Sequence, residues 1–89
     1  MRVVVSELAL SDLLAIRAYI RDFDPTAAQL MSNRLMKVAL DLGDFPLRGT
    51  ARSDGMGETA AVRPYVIVYE VRPDRVAILR IWHGAQRRF

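Results

Sequence analysis

Two hydrophobic periods alternate along this chain. Arg2-Val3-Val4-Val5 is a β-branched run closed by Ser6, which predicts a short strand. Ala9, Leu13, Ile16, Ile20 and Phe23 then recur at spacings of four, three, four and three. That is the stripe of an amphipathic helix over 7–22, with Asp12, Arg17 and Arg21 on its wet side. Asp24-Pro25 predicts a second helix start, because the Asp side chain can accept from free backbone N–H groups and Pro gives up a donor that has no helical partner. Ala28, Met31, Leu35, Val38, Ala39 and Leu42 form its apolar stripe, and Gly43 stands where a left-handed C-terminal cap is expected.

The second half changes to strand periodicity. Residues 46–60 hold Pro46, Gly49, Gly55 and Gly57 among scattered charges and predict an exposed loop containing at most a weak edge strand. Ala60-Ala61-Val62 predicts a strand stopped near Arg63-Pro64. Tyr65–Val71 is apolar on both faces until Glu70, Pro73-Asp74 makes a turn, and Arg75–His83 is the antiparallel partner. A regular last strand would put Val76, Ile78, Arg80 and Trp82 on one face and Ala77, Leu79, Ile81 and His83 on the other. The fold class is therefore α+β, a single domain over 1–89: an antiparallel sheet with an N-terminal strand and a helical hairpin on one face, in the order β-α-α-β-β-β. A domain this small has no second layer for the other sheet face, which is expected to need a partner segment or to form a groove.

Charge sharpens this picture. Residues 1–45 carry five basic and six acidic side chains, net −1, whereas residues 46–89 carry eight arginines against four acids, net +4. Twelve of the thirteen cations are arginine, suited to bidentate contacts with phosphate or carboxylate, although genomic base composition produces the same bias. The chain has no cysteine, which excludes disulfides and thiol chemistry and fits a cytoplasmic protein. It also has no readable export signal and no apolar run of membrane-spanning length. One histidine and dispersed carboxylates make no metal site, no Gly-rich phosphate loop follows a strand, and no cofactor is expected. The helices belong to the acidic half and show no basic recognition helix, so sequence-specific DNA binding is disfavoured.

Four segments together resemble the RelE/ParE superfamily of type II toxins over nearly the whole chain. They are Ala9 with Asp12–Ile16 and Tyr19-Ile20, Phe45-Pro46 with Gly49, Arg63–Tyr69, and Ile78–Gly84. The His83-Gly84 close with basic residues behind it is similar to the ParE-like, plasmid-stabilisation branch. The resemblance implies growth arrest by the free toxin and a cognate antitoxin, normally encoded beside it, whose C-terminal segment wraps the toxin in a hetero-oligomer, a heterotetramer or larger. ParE-like members poison DNA gyrase without a recognised catalytic constellation, whereas RelE-like members cleave messenger RNA in the ribosomal A site.

Cleavage of RNA needs a base, an acid and a cation for the phosphate charge. His83 could be acid or base, with Arg63 and Arg80 on phosphate. Arg80 and His83 nevertheless face opposite ways on a regular strand, and the chain ends in Arg87-Arg88-Phe89 without the terminal tyrosine of several ribonuclease members. The ParE-like reading is the expectation, with Arg63, His83, Arg87 and Arg88 as target-binding candidates and Tyr65, Tyr69 and Trp82 facing the antitoxin. The plainer alternatives are a hydrogen-bonding His83, a solvated Arg63, packing roles for Tyr65, Tyr69 and Trp82, and a frayed tail. An antitoxin-binding module that has lost toxicity also fits the sequence.

Overall fold

A computed structural model of the chain describes residues 1–86. Strand β1 (Arg2–Val5) leads into helix α1 (Glu7–Arg21), and helix α2 (Pro25–Asp41) completes the hairpin. The strands β2 (Thr50–Ala51), β3 (Gly57–Thr59), β4 (Tyr65–Val71) and β5 (Arg75–His83) follow, then a short 3-10 turn at Gly84–Gln86. Both helix starts rest on side-chain capping, which the sequence predicts at Asp24 and which the structure adds at Ser6. Ser6 caps α1 by accepting from the Ala9 N–H at 3.0 Å, and Asp24 caps α2 by accepting from Thr26 and Ala27 at 3.1 Å each.

The five strands form one sheet in the order β1-β5-β4-β3-β2. The α+β class holds, but the sheet is mixed rather than antiparallel and has one strand more than expected. β1 pairs parallel with β5, Arg2 against Arg75 through Val5 against Ile78, because the hairpin returns the chain to the same end of the sheet after β1. The expected strand at Ala60–Val62 is a bend, and β3 lies earlier, at Gly57–Thr59, paired with β4. There the Thr59 hydroxyl accepts from the Ala61 N–H, a local turn that ends the ladder.

The core fills the space between the hairpin and one sheet face. Leu13, Leu35, Ala39 and Leu42 from the helices meet Tyr65, Ile67, Tyr69, Val76, Ile78 and Ile81. Leu35 is fully buried, so its side chain alone contributes about 2–3 kcal/mol of apolar burial. Gly43 is not the left-handed cap that was expected: Gly55 has the positive φ, and α2 ends with Leu42 in right-handed geometry. Gly43 is instead a point of close approach. Its carbonyl accepts from the Met1 amino group at 2.9 Å, and a Cβ at this position would collide with the Met1 carbonyl oxygen.

β5 carries a bulge that redistributes its side chains. Opposite β4, Val68 pairs with Arg80 and Tyr69 with Ile78, so Leu79 is an inserted residue. The regular alternation predicted for this strand therefore breaks at Leu79. Val76, Ile78, Ile81 and His83 share the helix-covered face, and Arg80 and Trp82 the other. That second face is not an open apolar surface either. Val66 and Val68 are only 5% and 3% exposed, with Glu58 and Arg80 in register beside Val68 and Trp82 beside Val66. Arg52 forms an ion pair with Glu58, and their side chains are 12% and 18% exposed. Charged side chains with long apolar stems thus do here what a second layer would do in a larger domain.

Candidate functional site

β1 stops opposite Ile78, so β5 runs on from Leu79 to His83 with its outer edge unpaired by any strand. α1 closes that edge with side chains. The Ser6 N–H donates to the Ile78 carbonyl at 3.0 Å, and the Ser6 hydroxyl donates to the Leu79 carbonyl at 3.0 Å. Six residues later, Asp12 Oδ2 accepts from the Ile81 N–H at 2.9 Å. The same carboxylate holds the Arg80 guanidinium through both oxygens, Nε to Oδ2 at 2.8 Å and Nη2 to Oδ1 at 2.9 Å. Asp12 is thus not on the wet side of α1: its side chain is 16% exposed, against 35% for Arg80. The hydrogen bonds that Arg80 donates to Asp12 raise the Arg80 pKa above its ordinary value, and the guanidinium lies 5.0 Å from the Trp82 ring centre in a cation–π contact.

Beyond this clasp, α1 and the ends of β4 and β5 leave a cleft of about 880 Å³. Asp12, Ala15, Ile16 and Tyr19 form its helical wall, and Pro64, Tyr65, Arg80, Trp82 and His83 form the other. The rings of Tyr65 and His83 meet edge to face at 5.7 Å. The Ala85 N–H donates to His83 Nδ1 at 3.1 Å, which places the ring proton on Nε2. The Gly84 N–H donates to the Pro64 carbonyl at 2.7 Å and ties the end of β5 to the start of β4 within the second wall. Tyr65 is 8% exposed, and burial, then the neighbouring Tyr19, push its pKa up, so its phenol stays protonated as a donor. Among the described residues no hydrogen bond engages that hydroxyl.

The candidates from the sequence divide accordingly. Tyr65, Trp82, His83 and Arg80 come together at the cleft, and exposed Arg63 precedes Pro64 at its rim. Tyr69 does not join them. It lies four residues along β4, about 13 Å away at 3.3 Å per residue, is 2% exposed, and its hydroxyl accepts from the Gly49 N–H. Arg87 and Arg88 lie outside the described residues. Arg80 and His83 line one cleft because it wraps the edge of β5, but they stand on opposite faces of that strand, as alternation predicts. Asp12 and Tyr19 were missed as site residues, although positions 12, 15, 16 and 19 follow the spacing of a single helix face.

Among the described residues there is no group of three or more His, Cys, Asp or Glu side chains that could hold a metal, and no helix is long and apolar enough to cross a membrane. The arrangement offers donors, aromatic walls and an arginine already matched to an internal carboxylate.

A family model for the ParE toxin of the type II toxin–antitoxin system parDE matches residues 3–88. The chain is 45% identical over 85 residues to a Caulobacter vibrioides protein called toxin RelE2, covering 96% of this chain and 97% of that one. Its fold is similar to that of a solved chain from the chromosomal ParDE system of P. aeruginosa, with a TM-score of 0.82 at 22% identity over 93% of this chain and 95% of that one.

Proposed function

Because the chain belongs to the ParE toxin family of type II toxin–antitoxin systems, and so has an antitoxin as partner, we propose that it poisons DNA gyrase by binding rather than by cutting a nucleic acid. The observation that carries this reading is the Asp12–Arg80 clasp. Cleavage of RNA needs a free cation beside a proton-transfer group, and Arg80 has its charge matched by Asp12 through the Nε/Nη2 edge of its guanidinium while His83 stands across the strand. The antitoxin takes the cleft between α1 and β5, against Tyr65 and Trp82, in a complex of heterotetrameric or larger size. Arg63 and His83 at the rim are left to contact the target or the antitoxin's flank.

Controlled expression without the antitoxin, with DNA breaks and transcript ends mapped in the same cells, tests the reading. Gyrase-dependent breaks with intact transcripts are expected, together with loss of supercoiling by purified gyrase when the toxin is added. Transcripts cut in the ribosomal A site with intact DNA would refute it. The name of the 45% identical relative favours that second reading, an endoribonuclease in which Arg63 and His83 would carry the chemistry. Normal growth would identify an inert antitoxin-binding module.

A further inference from the structure

Among the described residues, the cleft presents hydrogen-bond donors that have no internal acceptor. Tyr65 is more than nine-tenths buried and lines the cleft, and among the described residues its hydroxyl has no partner. The hydroxyl itself is not a buried, unmatched atom: it opens into the cleft, where it can donate to a ligand. Two further donors reach the same cleft. Tyr19 is close enough to Tyr65 to perturb its ionisation, and His83 shows its Nε2–H because Nδ1 is occupied by Ala85. Both cleft charges, Asp12 and Arg80, are already neutralised by each other, and exposed Arg63 adds positive charge at the rim.

We propose that Tyr65, Tyr19 and His83 form a receptor for one carboxylate of an acidic side chain on the antitoxin segment, with Ala15, Ile16, Pro64 and Trp82 seating the apolar residue beside it. This rests on the reading of the cleft as the antitoxin's seat. Three groups able to donate, with an adjoining cation, suit an oxyanion, and the apolar walls favour a peptide over a phosphodiester chain. A nucleic-acid backbone would ask for several unmatched cations, and the arginine on the cleft wall is matched to Asp12.

The test measures the affinity of the full-length toxin for its antitoxin by titration calorimetry, for the wild type, Tyr65→Phe and Ala15→Arg, with melting temperatures confirming that each folds. Tyr65→Phe keeps the ring and removes the hydroxyl, so affinity is expected to fall about tenfold. That loss should vanish when the contacting antitoxin Asp or Glu is replaced by its amide. Ala15→Arg, on an exposed position of the helical wall, is expected to abolish binding by filling the cleft. Unchanged affinity in Tyr65→Phe with loss in Ala15→Arg overturns the carboxylate receptor and leaves the seat in place. Unchanged affinity in both overturns the seat as well. A single-stranded RNA that displaces the antitoxin and itself binds less well to Tyr65→Phe makes the oxyanion a phosphate, which also overturns the proposal.

Discussion

Replacing Asp12 by Ala removes three hydrogen bonds at once, two from Arg80 and one from the Ile81 N–H. Breaking a fully buried ion pair from one side costs about 3–5 kcal/mol, but the Arg80 side chain is 35% exposed and can turn back to water. The Ile81 N–H stands at a strand edge covered by α1, and leaving it unmatched costs about 1–3 kcal/mol. The expected loss is therefore about 3 kcal/mol, a large share of the roughly 5–10 kcal/mol that holds so small a domain together. In a chain of 89 residues that lowers the melting temperature by about 12–20 °C.

Urea unfolding followed by the fluorescence of Trp82, the single tryptophan, measures the loss directly, since Arg80 rests against that ring. Arg80→Met and the double variant close a thermodynamic cycle, and a coupling of at least about 1 kcal/mol is expected between contacting charges. A loss below about 0.5 kcal/mol in Asp12→Ala, or no coupling in the cycle, would refute the assignment of α1's anchorage to this clasp.

Three other outcomes follow from the same geometry. Tyr65 is expected to titrate above 10, the ordinary phenol value, so its contribution to stability is complete below that pH and is lost as pH rises through its folded-state value; ultraviolet titration of wild type against Tyr65→Phe should remove a phenolate step that lies above 10. Gly43→Ala should cost about 1–3 kcal/mol in chemical denaturation, because the new Cβ meets the Met1 carbonyl, whereas a left-handed cap alone would predict about 1 kcal/mol. Asp54 accepts from the Met56 N–H, which lowers its pKa, so the turn it holds should persist above 3.8 and loosen as pH falls below that value; a pH series of amide exchange at Met56 that shows no acid-side change would count against it.

Local chemistry was legible in the sequence, and coupling at a distance was not. Asp24 and Pro25 announce the start of α2 because capping is settled within three residues, and the run from Tyr65 to Val71 reads as a central strand from its own composition. The bulge at Leu79 has no such signature, since neither Gly nor Pro marks it, and it moves Ile81 and His83 onto the core side. The Asp12–Arg80 contact joins residues 68 positions apart, and a carboxylate on a helix reads as solvated until the strand edge it serves is known. At the site, Tyr65, Trp82 and His83 were found as residues, but what makes them a cleft is the helix face of Asp12, Ala15, Ile16 and Tyr19. Tyr69 had the right strand face and the wrong end of the strand.

The edge of β5 is finished by residues from the beginning of the chain: Ser6 bonds Leu79 across 73 positions, and Asp12 bonds Arg80 across 68. During synthesis the first strand and the first helix therefore emerge long before the surface they seal exists. Until the last strand is made, α1 has neither its strand partner nor its counter-ion, and the cleft has only one wall. The protein is thus assembled in time as a delayed circuit, whose closing contact, Asp12 to Arg80, also joins the two walls of the cleft.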